Sequence, residues 1–284
     1  MSLFIKKAYN ITKDNIIAAQ PLVIFMLVIT LTTSALAVHT NKIAHLIFLI
    51  ANILLCTAFF AGWFHMINKT IEHYKKAEND EYKNKEEEIK ASWALGKEFF
   101  NGVGEYFIKT TIATVGYVAV YILILFLCYK MGLQILPHPN IDWAEFMKTA
   151  NSSPAEMQKY VYSLSFQQIK AINIWILYFG SIAFIYTFLT MFLFPALFDK
   201  NYGKENCFLA TFKAFNRNLF FIFKNFADSL LLLIFLGLLN TFLSVISVFF
   251  SLNIILSVVG LLISFYFMTY AVILIFLYYD EKKQ

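Results

Sequence analysis

The chain has 284 residues, of which 60% are hydrophobic and only 14% charged, and it carries a formal net charge of +5. That balance excludes an ordinary water-soluble globular domain and leaves too little clustered basic charge for a nucleic-acid binder. It fits an all-α, polytopic membrane protein, with residues 1–284 forming one membrane domain.

Apolar runs at 21–38, 43–67, 110–129, 172–198, 229–251 and 254–278 are each long enough to cross a hydrocarbon core of roughly 30 Å as a helix. None contains Asp, Glu, Lys or Arg. Lysine and arginine divide unevenly between the intervening segments. Eighteen fall in residues 1–20, 68–109, 199–228 and 279–284, against five (Lys42, Lys130, Lys148, Lys159 and Lys170) in the alternate segments. The positive-inside asymmetry predicts a multi-pass protein of the cell (inner) membrane with both termini cytoplasmic.

In chain order, a short segment opens with Phe4, Ala8 and Ile11 on one helical face and Lys6, Asn10 and Lys13 on the other. The first run follows and ends at Ala35-Leu36-Ala37, a small-x-small pattern that signal peptidase accepts. The run is read as an uncleaved span, because its removal would leave the second span without its hairpin partner. Cys56, Cys128 and Cys207 have no spacing that suggests a disulfide framework or a metal site.

Residues 79–90 (NDEYKNKEEEIK) are the most polar stretch, with Glu86 and Lys90, or Lys83 and Glu87, placed to pair on an exposed helix. Ile89, Trp93, Gly96, Phe100, Val103 and Phe107 then follow steps of four and three, with Glu87, Glu98 and Glu105 opposite. Past the third span, residues 131–171 form a small extracytoplasmic cap. It carries three helix-start signals: Asp142 with Glu145, Ser153-Pro154 with Glu156, and Ser165 with Gln168, the last of which starts the fourth span. Asn151-Ser152-Ser153 is a glycosylation triplet that matters only in a eukaryotic secretory route.

After the fourth span, residues 208–226 place Phe208, Phe212, Phe215, Leu219, Ile222, Phe223 and Phe226 on one face. Lys213, Arg217 and Lys224 fall opposite. This is the pattern of an interfacial amphipathic helix, and Lys213, Arg217 and Lys224 are the candidate contacts to lipid headgroups. The Phe face has two possible partners, acyl chains or the protein's own spans. Three such amphipathic segments, each ahead of two spans, suggest three helix-plus-hairpin units at 1–67, 68–198 and 199–284.

No ionisable group sits at a span centre, so nothing suggests intramembrane catalysis or ion coupling. The polar residues at depth, among them Asn52, Tyr117, Tyr121, Thr187, Asn240 and Ser244, are expected to bond between helices. His39, His45 and His138 on the outer side, and His65 and His73 at the inner end of the second span, match no compact metal motif. The pattern asks for no cofactor, metal or nucleic acid, and it contains no catalytic constellation.

The stretch FPALFDKNYGKENCFLATFKAFNRNLFFIF after the fourth span, and the last span closing on FLYYDEKK, resemble bacterial six-span membrane proteins related to the membrane domain of glycerophosphodiester phosphodiesterases. The resemblance implies an architecture separate from any phosphodiesterase domain and carries no catalytic residue. Two functions remain in view. One is a non-enzymatic envelope component acting through membrane lipids or as the partner of another membrane protein. The other is a transporter or permease subunit for a lipid or other apolar molecule.

Overall fold

In hydrocarbon every backbone N–H and C=O must be paired inside its own segment, so apolar runs of this length become helices. A computed structural model describes residues 1–38, 42–79, 81–82, 85–150, 152–199, 206–250 and 253–283, and among them there is no strand. The helices are α1 (Ser2–Asp14), α2 (Gln20–Val38), α3 (Lys42–Glu78), α4 (Lys85–Ile135), α5 (Trp143–Ala150), α6 (Pro154–Ser163), α7 (Phe166–Thr190), α8 (Leu193–Leu197), α9 (Cys207–Lys224), α10 (Phe226–Phe250) and α11 (Ile254–Lys282). Six helical stretches are long and apolar enough to cross a membrane, one for each expected run. His39, Asn151, Lys83, Lys200 and Lys204 lie outside the described residues.

Two spans exceed the sequence expectation. α3 has 37 residues and α4 has 51, which at a rise of about 1.5 Å per residue makes them about 55 and 76 Å long. The expected break between the amphipathic stretch 89–107 and the third run is not there. No proline interrupts α4, and its glycines serve a different purpose. A Cβ on Gly102 would lie 2.4 Å from the Cβ of His65, and one on Gly62 would lie 2.6 Å from the Phe99 carbonyl oxygen. Gly62 and Gly102 therefore let α3 and α4 approach backbone to backbone, as small residues do between membrane helices.

The chain falls into two compact units, one of residues 1–115 and 188–284 and the other of residues 116–187. These boundaries differ from those of the three helix-plus-hairpin units. In the first unit the core gathers where the amphipathic segments meet the ends of α3 and α11. Trp63, Met66, Ile67 and Ile71 of α3, Phe192 and Phe198 around α8, Ile222 of α9 and Tyr278 of α11 are almost fully buried. Their rings interlock: Phe192 meets Phe221 at 4.7 Å, Tyr106 stacks on Phe198 at 4.5 Å, and Phe4 of α1 meets Tyr278 edge-on at 5.4 Å. The Trp63 indole N–H donates to the Ala18 carbonyl at 2.8 Å, fixing the 3₁₀ turn Ile16–Ala19 that joins α1 to α2.

Within the spans the picture is the opposite. Between 6 and 28% of the most apolar stretch of each is buried by the protein itself, so the rest must be covered by lipid or by another chain. The second unit is built by its caps. Asp142 accepts from the N–H groups of Ala144 and Glu145 at 2.9 and 3.1 Å, and Ser153 accepts from Glu156 N–H at 3.2 Å, ahead of Pro154. Ser165 and Gln168 form a reciprocal capping box, Gln168 N–H donating to Ser165 Oγ at 3.3 Å and Ser165 N–H to Gln168 Oε1 at 2.9 Å. All three start signals thus open helices, and the third opens the fourth span.

Candidate functional site

The site foreseen on residues 208–226 is α9 as far as Lys224, with Phe226 instead opening α10; α9 is capped by Asn206, whose side chain accepts from Phe208 N–H at 3.1 Å. Going round the helix, three arcs replace the two expected faces. Ala210, Ala214, Asn218, Phe221 and Ile222 are buried against the first unit. The phenylalanine arc is exposed, with Phe208 at 72%, Phe212 at 62% and Phe223 at 67%. Opposite that arc, Lys213 and Arg217 are half-buried and Lys224 is exposed. Ile222 thus leaves the apolar face assigned to it and belongs to the docked one. Alanines at 210 and 214 bring the helix close to its neighbours, Phe221 inserts among Phe192, Tyr278 and Tyr279, and Phe208, Phe212 and Phe223 point away.

Asn218 shows why the docking has a fixed register. The fourth span does not run on to Phe198: α7 ends at Thr190 and α8 begins at Leu193. A break in a helix orphans backbone groups, which are costly when buried. Asn218, fully buried, donates from Nδ2 to the Leu189 carbonyl at 2.6 Å and accepts from Phe192 N–H at 2.9 Å. One side chain on α9 thereby satisfies both sides of the break.

Asp199, just past α8, is the charged counterpart. Its side chain is 6% exposed and lies 3.4 Å from both Arg217 Nη1 and Lys283 Nζ. Lys283 also meets Asp280 at 2.8 Å, and Asp280 meets Lys75 at 2.6 Å. Lys7 of α1 bridges Glu78 and Glu281 at 2.8 and 3.0 Å, and Lys282 reaches Asp228 at 3.4 Å. The network ties α1, α3, α9, α10 and α11 together at one level. Burial pulls the Lys7 pKa down, but hydrogen bonds to Glu78 and Glu281 and their charge outweigh it and hold the group above the ordinary lysine value. Lys283 is raised in the same way, with burial opposed by Asp280 and Asp199.

A cavity of about 150 Å³ opens beside this network, with Asn68, Glu72, Asp199, Asp280 and Lys283 among its lining groups. Next to it His65 Nε2 lies 3.2 Å from Glu98, the His65 and Tyr106 rings are 5.3 Å apart, and Lys109 Nζ sits 5.3 Å from the centre of the Tyr106 ring. Lys109 was grouped with the polar segment before the third span, yet it is 5% exposed. Neither Asp199 nor Lys109 stood out in the sequence, because each looks like an ordinary flanking charge.

The other candidates fall into structural roles. His73 Nδ1 shares a hydrogen bond with the Tyr82 hydroxyl at 2.5 Å, and His138 is exposed. Asn52 accepts from the Thr32 hydroxyl at 2.9 Å across α2 and α3. The Tyr186 hydroxyl donates to the Tyr117 carbonyl at 2.6 Å with the Tyr121 ring stacked on its own, and Ser244 bonds back to Asn240 at 2.9 Å. Glu86 and Lys90 pair at 2.7 Å, both about three-quarters exposed, a contact that contributes little. Among the described residues no three His, Cys, Asp or Glu side chains converge as metal ligands. Comparison with protein families, curated proteins and solved structures finds no match to this chain.

Proposed function

We propose that the chain is a non-enzymatic component of a bacterial inner membrane, with both termini cytoplasmic, acting through lipid contact at its inner end or as the membrane partner of another protein. The observation that carries this reading is α9, whose exposed phenylalanine arc faces away from Lys213, Arg217 and Lys224 while a third arc is docked on the protein. A helix lying in the interface needs one side for acyl chains and one for headgroups, and a docked third side fixes its depth. Burying a phenylalanine side chain is worth roughly 1.5–3 kcal/mol, so such a row is costly in water and favourable in acyl chains. The 18-to-5 lysine and arginine distribution supports the orientation. Kinship with the membrane domain of glycerophosphodiester phosphodiesterases belongs to the same proposal. The stretch that carries it also builds α8, the Asp199 ion pairs and the Asn218 bridge. α1 is read as the corresponding interfacial element of the first repeat, whereas residues 89–107 continue unbroken into the third span as α4.

A transporter or permease subunit for an apolar molecule is the second reading. It draws on a cavity of about 420 Å³ between α2, α3 and α4, lined by rings such as Phe25, Phe59 and Phe99.

The test of the first reading is a spin label at Asn216, an exposed position flanking the basic stripe. Ala214 and Asn218 are fully buried, and a label there would break the docking. The label is expected at headgroup depth and to sink as anionic lipid increases. Each basic group near an anionic surface contributes about 1 kcal/mol, so replacing Lys213, Arg217 and Lys224 together by Gln should reduce the response by about 3 kcal/mol at most. The figure is lower if Asp199 neutralises part of Arg217. A label whose depth and mobility ignore both lipid charge and the triple substitution would show that protein packing alone holds the helix.

A further inference from the structure

We infer that residues 116–187 carry a binding site for a single acyl chain. A cavity of about 760 Å³ lies between the ends of α4 and α7 and the two short helices α5 and α6, within the range of small-molecule pockets, roughly 300–1,000 Å³. Leu133, Ile172, Ile176 and Phe179 form its span walls, and Phe146 and Leu164 its roof.

The lining is graded along α7. Asn173, near the capped start of that helix, together with His138 and Tyr160 supplies polar atoms, and no Asp, Glu, Lys or Arg lines the cavity. Phe179 lies six residues farther along, about 9 Å deeper into the span at 1.5 Å per residue, where only apolar groups remain. The level at which the polar end gives way is marked by an aromatic belt. Tyr129 and Trp175 rings are 6.0 Å apart, and Tyr178 donates its hydroxyl to the Cys128 carbonyl at 3.0 Å. A cavity that is polar where headgroups lie and apolar where acyl chains begin matches an amphiphile with one chain.

The wall is also preformed. Trp175 donates its indole N–H to the Pro137 carbonyl at 3.0 Å and packs against Gly132, where a Cβ would meet the ring at 2.6 Å. Gln168 Nε2 holds the Asn140 carbonyl at 3.0 Å, and Asn140 takes the left-handed φ of 44° that its residue type tolerates. A wall fixed by hydrogen bonds spares the ligand the ordering cost of building its own site.

The experiment uses the full chain in lipid nanodiscs with a diazirine-bearing palmitate, mapping crosslinks by peptide mass spectrometry, and with cis-parinaric acid to measure affinity. One saturable site per chain is expected, with crosslinks concentrated in 129–179. Ile172→Trp and Leu164→Trp should each weaken parinaric acid at least tenfold, whereas Val28→Trp, which fills the α2–α3–α4 cavity, should leave it unchanged. Competition by lysophospholipid identifies a free single-chain amphiphile as the natural occupant. Competition only by added diacyl lipid identifies one chain of a bilayer lipid, and either result supports an acyl-chain site. Non-saturable crosslinks spread over all six spans in proportion to their exposure would overturn the inference. Should both filling variants lose their thermal transition, the wild-type crosslink map decides alone.

Discussion

Replacing Asn218 by Ala tests how the fourth span is held at its break. The substitution leaves the buried Phe192 N–H and the part-buried Leu189 carbonyl without the side chain that satisfies both. A buried backbone group stripped of its partner costs about 1–3 kcal/mol, so two of them come to about 2–6 kcal/mol, with a further cavity term for the removed amide. The lower bound alone, about 2 kcal/mol, corresponds to roughly a thirtyfold change in an opening equilibrium. Hydrogen exchange of the full chain in nanodiscs should therefore show residues 189–198 exchanging at least thirtyfold faster, alongside a lower thermal midpoint. Asn225→Ala is the matched control. Its amide bonds to the Phe221 carbonyl on its own helix, at 3.2 Å, and half-exposed surroundings let water replace it. Unchanged exchange at Phe192 in the Asn218 variant would show that the break is stable without the bridge and that α9 docks by apolar contact alone.

Two other substitutions follow from the same contacts. Gly102→Ala should destabilise by 2 kcal/mol or more, on the order of an overpacked core, because its Cβ would sit 2.4 Å from His65 Cβ and 2.9 Å from the Ala61 carbonyl. Gly104→Ala, two residues on with nothing within 4 Å, should instead stabilise by up to about 1 kcal/mol through helix propensity, and thermal midpoints of the two variants should move in opposite directions. Lys7 gives a pH dependence whose sign is set by its raised pKa: its contribution is fully present below the unfolded lysine value of about 10.4 and is lost as pH rises through the higher folded value. A label on exposed Tyr9 should report α1 docked to beyond pH 10.4 in the native chain, and Lys7→Gln should abolish that alkaline transition.

Elements set by neighbours in sequence were legible, and those set by distant partners were not. Asp142, Ser153 and Ser165 announce their helices because a cap and its N–H lie within three residues, so the whole interaction is printed in one short string. Asn218 reaches back 26 and 29 residues to a break that only Pro195, four residues past Met191, hints at, and on a helical wheel it falls on neither the apolar face nor the basic stripe. The wheel of residues 208–226 distinguishes an apolar from a basic face but has no means of placing the protein, against which Phe221 and Ile222 are buried. Ala210 and Ala214 fall on neither face, and their small size lets that side of α9 come close to its neighbours while Phe221 packs among Phe192, Tyr278 and Tyr279. In the same way Gly62 and Gly102 read as weak helix formers within apolar or amphipathic helices until α3 and α4 are seen in contact. Small residues spaced by four thus accompany the docked side of α9, while the exposed arc of Phe208, Phe212 and Phe223 turns away from it. The spin label at Asn216 is the measurement that decides whether that arc meets acyl chains.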